Sequence, residues 1–106
     1  MTMIYVRSAA RIDLIDRYVY LVENAGVETA ERFFVSAEKS FAHLSQQPKI
    51  GASLTLSHPE LADMRKWSIE GFEKILIFYL PRADGVSIVR VLHAAQDWWK
   101  LLGLSA

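Results

Sequence analysis

The sequence predicts an α+β fold: a helical hairpin packed on a mostly antiparallel four-stranded sheet, in the order β-α-α-β-β-β. Three observations lead to it. Two stretches of helical period, residues 9–25 and 27–46, are parted only by Gly26. Three apolar runs of strand length, residues 64–69, 74–80 and 86–93, follow with glycine-bearing connections between them. A short β-rich run, residues 3–7, precedes the first helix. At 106 residues the whole chain fits a single domain, 1–106.

Taken in order, "MIYVR" is the opening strand, and Ser8 suits an N-cap because its hydroxyl can accept from a free N–H of the first turn. In the first helix Ile12, Ile15, Val19 and Val22 recur at three- and four-residue spacing. Leu14, Tyr18 and Leu21 form a second stripe beside them, so the apolar face is wide. Gly26 ends this helix, since glycine takes a left-handed conformation without a Cβ penalty. The second helix carries the stripe Ala30, Phe34, Ala37, Phe41 and Leu44, with Phe33 beside it, and Pro48 stops it. So short a connection implies an antiparallel hairpin.

Residues 48–63 hold Pro48, Gly51 and Pro59 and no sustained period; they read as a loop with room for a helical turn near Glu60. "MRKWSI" alternates, with Arg65, Trp67 and Ile69 on one face and Met64, Lys66 and Ser68 on the other. "KILIFYL" is apolar on both faces, as a central strand is. "VSIVRVLH" is nearly as apolar, and "EGFE" and "PRADG" supply the hairpin glycines. Residues 96–102 form a short amphipathic tail.

Charge narrows the function. Lys plus Arg and Asp plus Glu are both 12, so the formal net charge is zero. Nucleic-acid binders usually carry a basic excess, which counts against a strong RNA or DNA binder. There is no cysteine, hence no disulfide framework and no thiolate zinc site, as suits a reducing cytosol. "MTMIYVRSAARID" lacks the pattern of a signal peptide, and the longest apolar run, "ILIFYL", is far short of the roughly 20 residues that span a bilayer. His43, His58 and His93 have no metal-ligand spacing, and no glycine-rich phosphate loop, HExxH or GxSxG occurs. Neither a metal nor another cofactor is expected. A hydrophobic fraction of 52% points to apolar surface that a partner covers, or to a large core.

The candidate chemistry gathers in "IVRVLHAAQDWW". Arg90 sits inside an apolar run, so it is either in a structural ion pair, with Asp97 as the candidate partner, or a phosphate clamp. His93 is a general acid or base, or it simply hydrogen-bonds Asp97. An RNase would need a base, an acid and cations around one phosphate, and Arg65, Lys66, Lys74, Tyr79, Arg90 and His93 supply the types. Alternation scatters them, however: Arg90 and His93 fall on opposite faces of a regular strand. Trp98 and Trp99 are adjacent, so one is expected in the core and the other free to anchor an interface.

The segment "HPELADMRKWSIEGFEKILIFYLPRADGVSIVRVLHAAQDWWKLL" resembles the second half of a ParE-type toxin, of the RelE/ParE superfamily of type II toxin–antitoxin systems, often labelled plasmid stabilisation proteins. The resemblance rests on "LADMRKWSIEGF", on "ILIFY" and above all on "IVRVLHAAQDW". It implies a small cytoplasmic toxin neutralised by a ParD-like antitoxin in a hetero-oligomer, with DNA bound only indirectly, through the antitoxin. The antitoxin is expected to cover apolar surface on the helical hairpin and a sheet edge. ParE-like members poison DNA gyrase and block replication, whereas RelE-like members cleave mRNA on the ribosome. Zero net charge, scattered cations and the "RVLHAAQD" motif favour the ParE branch. The expectation is therefore a gyrase-binding inhibitor, not an enzyme, with Trp98, Trp99 and Lys100 as target contacts and Arg90, His93 and Asp97 as a structural motif. The alternative is a ribosome-dependent mRNA endonuclease using Arg65, Arg90 and His93.

Overall fold

A computed structural model describes residues 2–54 and 63–102, Trp99 by its backbone alone. The expected turn near Glu60 and the loop residue His58 lie outside the described residues. The elements are β1 (Met3–Val6), α1 (Ser8–Ala25), α2 (Val27–Gln46), β2 (Ala52–Ser53), β3 (Arg65–Ile69), β4 (Phe72–Arg82), β5 (Gly85–His93) and α3 (Trp98–Leu101). The sheet order is β1-β5-β4-β3-β2, with β1 parallel to β5 and the other pairs antiparallel. It is an α+β fold with five strands rather than the expected four. The addition, β2, is two residues paired with Lys66 and Arg65, too short for alternation to reveal.

The helices cover one face of the sheet. Ala10 and Leu14 of α1 and Ala30, Phe33, Ala37, Phe41 and Leu44 of α2 meet Ile75, Ile77, Tyr79, Val86, Ile88 and Val91. The far face has a smaller cluster in which Phe78, Leu92, Met64 and Leu54 are joined by half-buried Leu76, Leu80, Val89 and Trp98. So β4 is apolar on both faces because both are packed.

Several local expectations change. The helix starts at Ser8 with Arg7, not Ser8, at the N-cap and no side-chain cap. The Arg7 N–H still donates to the Ile88 carbonyl at 3.0 Å, which keeps Arg7 extended and places the first turn one residue early. In α2, Phe33 is fully buried and Phe34 is 36% exposed, the reverse of the expected stripe. Neighbours on a helix point about 100° apart, so only one ring can face the sheet. Phe33 meets Phe72 edge-on at 5.5 Å, while Phe34 meets Tyr18 at 5.8 Å in the seam between helices. Burying such a ring stabilises by roughly 1.5–3 kcal/mol.

The two stripes of α1 have opposite fates. Leu14 and Leu21 pack into the core, and Ile12, Ile15 and Val19 are 58%, 52% and 46% exposed. The tail is one helical turn, α3, shorter than the expected residues 96–102.

Candidate functional site

Arg90 is the centre of a tie that alternation alone does not predict. A register shift at Phe78/Tyr79 makes Tyr79 pair with Ile88 and Phe78 with Arg90, so Val89 is a bulge residue. Ile88 therefore faces the helices with Tyr79, while Arg90 shares the far face with Leu92 and Phe78. The bulge also lets the guanidinium reach round the sheet margin. It donates from Nε and Nη2 to both Asp13 oxygens at 2.7 and 2.8 Å, and from Nη1 to the Leu101 carbonyl at 2.9 Å. One side chain thus joins α1, β5 and α3. The bond to Asp13 raises the Arg90 pKa above its ordinary value, against the opposing effect of partial burial.

The expected partner Asp97 is not used. It is exposed and lies 3.7 Å from Lys100. Asp13 was missed because it is 77 residues away in sequence, on a different element. The available signal was a lone acid beside Leu14, on the flank of α1 that approaches the sheet.

Asp13 has a second task. β1 pairs with β5 only from Gly85 to Ile88, so the last part of β5 has a margin without a strand. Asp13 Oδ2 accepts the Val91 N–H at 3.0 Å, and Gln96 Oε1 accepts the His93 N–H at 2.7 Å. Two side chains stand where a neighbouring strand would.

His93 does not bond Asp97 either. Its Nδ1 accepts the Ala95 N–H at 3.0 Å. That bond occupies Nδ1 and leaves Nε2 as the ring nitrogen open to other partners.

Arg65 lies elsewhere. Its Nη1 donates to the carbonyls of Gly51 and Lys49 at 2.7 and 3.2 Å. Beneath it Tyr79 donates to the Pro48 carbonyl at 2.7 Å and accepts the Gly51 N–H at 2.9 Å. A Cβ on Gly51 would stand 2.5 Å from the Tyr79 hydroxyl, so the knot needs glycine there. Along β4, Arg65 pairs with Tyr79 and His93 with Ile75. Four residues of strand separate them by about 13 Å, before the two strand spacings between β3 and β5 are added. The structure does not bring Arg65, Arg90 and His93 together.

Burial holds the Tyr79 hydroxyl pKa above 10, outweighing the Gly51 bond and Arg65, which lower it. A group whose folded pKa is raised contributes stability that is whole below its unfolded pKa and is lost as pH rises through the folded one. Stability is therefore expected to fall above pH about 10, where the unfolded phenol ionises. Tyr5 and Tyr18, bonded to Asp84 and Glu31, shift the same way. Comparing urea melts of the parent chain and Tyr79→Phe isolates Tyr79. The variant should lose about 1–3 kcal/mol at neutral pH, through the orphaned Gly51 N–H, and have a shallower alkaline slope. Identical slopes would refute the assignment.

Trp98 lies on the far face, its ring 5.2 Å from Phe78 and 5.7 Å from the Lys66 ammonium. The side chain of Trp99 lies outside the described residues, and Lys100 is exposed beside Asp97. The far face also holds Arg7, whose Nε donates to Ser87 Oγ at 3.2 Å, and Arg82, 4.5 Å above the Tyr5 ring.

A neutral total hides this segregation. The two long helices carry six carboxylates (Asp13, Asp16, Glu23, Glu28, Glu31, Glu38) against four cations (Arg11, Arg17, Arg32, Lys39). Among the described residues no group of acids, histidines or cysteines could hold a metal ion, and no helix is long and apolar enough to cross a membrane.

Residues 4–98 match the family model described as the ParE toxin of the type II toxin–antitoxin system parDE. Among solved structures, the chain is similar to one titled the chromosomal ParDE TA system from P. aeruginosa, with a TM-score of 0.70 and 19% identity over 88% of this chain and 96% of that one. Among curated protein sequences there is no match.

Proposed function

This chain belongs to the ParE toxin family of type II toxin–antitoxin systems, and from that premise we propose that it blocks replication by binding and inhibiting DNA gyrase in the cytoplasm. The observation that carries the reading is the dispersal of Arg65, Arg90 and His93. Arg65 holds the loop at Gly51, Arg90 joins three elements, and His93 spends its Nδ1 on the Ala95 N–H. Trp98, Trp99 and Lys100 are the target contacts in this reading, since they cluster on one terminal turn.

Neutralisation falls to a ParD-like antitoxin, which brings in DNA only through its own binding domain. Two surfaces suit it. The exposed Ile12, Ile15 and Val19, with Phe34 nearby, offer a helix an apolar bed, and Met3, Ile4 and Tyr5 lie exposed on the outer strand β1. Expression of the chain with and without its neighbouring gene, followed by assays of supercoiling and of mRNA integrity, tests the reading. Arrested supercoiling with intact message, relieved by the neighbour, is expected. Cleaved ribosome-bound message with normal supercoiling would replace it with the endonuclease reading of Arg65, Arg90 and His93.

A further inference from the structure

We propose that the far face of the sheet, from Trp98 across to Tyr5, is the surface that grips the target, and that it recognises an acidic segment of that protein. This deepens the gyrase reading above and rests on it.

Besides Arg90, whose guanidinium is turned to Asp13, three cations line this face. Lys66 lies on β3, Arg7 follows β1, and Arg82 ends β4. Arg7 and Lys66 have no carboxylate within ion-pair distance among the described residues. Arg82 has only Asp84, at 3.9 Å, and that carboxylate already accepts the Tyr5 hydroxyl. Half-buried Leu76, Leu80 and Val89 lie between the cations. An apolar strip edged by unneutralised positive charge complements a segment that alternates aliphatic and acidic side chains.

Nucleic acid is the competing occupant, because cations and aromatics together make a stacking platform. Here the rings are taken. Arg82 lies over Tyr5, and Trp98 has Phe78 and Lys66 against it. A base would have to displace a cation before stacking. Carboxylates need only the cations' remaining N–H groups. The Lys66 and Tyr5 positions are three strands apart, about 14 Å. Acidic residues four apart on a strand, or two to three helical turns apart, span about that distance.

The test is inhibition of purified gyrase by the purified toxin and its charge-reversed variants, each checked for an unchanged thermal melt. Lys66→Glu and Arg82→Glu should each raise the half-inhibitory concentration about tenfold or more, and Arg82→Gln by less. Arg11→Glu and Lys39→Glu, on the helices, should change it by less than about threefold. Inhibition by the unaltered toxin should weaken as salt rises, which tests the idea without any variant. Equal effects of far-face and helix-face reversals, or indifference to salt, would overturn the acidic-segment proposal and leave the gyrase reading standing. A toxin that never touches supercoiling overturns the gyrase reading and this proposal with it. Single-stranded RNA that protects Lys66 and Arg82 from chemical modification, where gyrase does not, would overturn it in favour of phosphate.

Discussion

Replacing Gly85 with alanine is expected to cost about 3 kcal/mol or more. Gly85 has φ +155°, and a Cβ built on it would stand 1.8 Å from the Met3 carbonyl oxygen and 2.7 Å from the Met3 nitrogen. Both neighbours are backbone, so no rotamer change relieves the overlap. Met3 is the register partner of Gly85, and its N–H donates to Asp84 at 2.7 Å. The strand must therefore lift, taking with it the Tyr5–Asp84 bond and the packing of Val6 on the core. In a domain near 100 residues that loss corresponds to a melting temperature lower by roughly 12–20 °C. Thermal unfolding followed by circular dichroism measures it, and amide exchange at residues 4–6 should speed up before global unfolding. A melt within about 3 °C of the parent would mean that β1 is not held as described.

Arg90→Ala is the second large effect. It strands the Asp13 carboxylate, whose side chain is only 10% exposed, with one N–H donor left. Removing one partner of a buried pair costs about 3–5 kcal/mol; with Arg90 itself 21% exposed, solvent screening brings the expectation to about 2–4 kcal/mol. Asp13→Asn should cost less, because an amide oxygen still accepts from Val91. Arg90→Lys should fall between, since a point charge cannot serve two carboxylate oxygens and the Leu101 carbonyl together. The double variant Asp13→Leu/Arg90→Met should recover much of the loss. Because Arg90 also holds α3, Trp98 fluorescence should shift to longer wavelength in Arg90→Ala. Additive single and double effects in urea melts would show that the two residues are not coupled.

How much of this was legible depended on whether a signal was periodic. The helices, β4 and the alternation of Trp67 and Ile69 against Met64 and Lys66 follow from spacing that burial enforces. Phe33 and Phe34 did not, because two adjacent rings both fit a stripe and only the seam with Tyr18 decides between them. Ile12, Ile15 and Val19 look like core on the same rule that places Leu14 and Leu21 there. Their exposure depends on which flank meets the sheet, which is a tertiary fact. The place of Asp13 beside Leu14 does not say what it meets, and the bulge that turns Arg90 toward it is a register event with no composition of its own. The candidate residues could thus be named, but their partners could not.

The capped margin of β5 bears on how copies of this chain meet one another. Sheets grow sideways into fibrils wherever a row of amide hydrogens waits for another chain. With Val91 and His93 already served by Asp13 and Gln96, that stretch of β5 is closed to such recruitment. Accumulated toxin is steered away from self-templated stacking along the stretch of β5 that β1 leaves uncovered. Gln96→Leu would leave the His93 N–H without its side-chain acceptor and is expected to raise thioflavin-positive aggregation on storage relative to the parent chain.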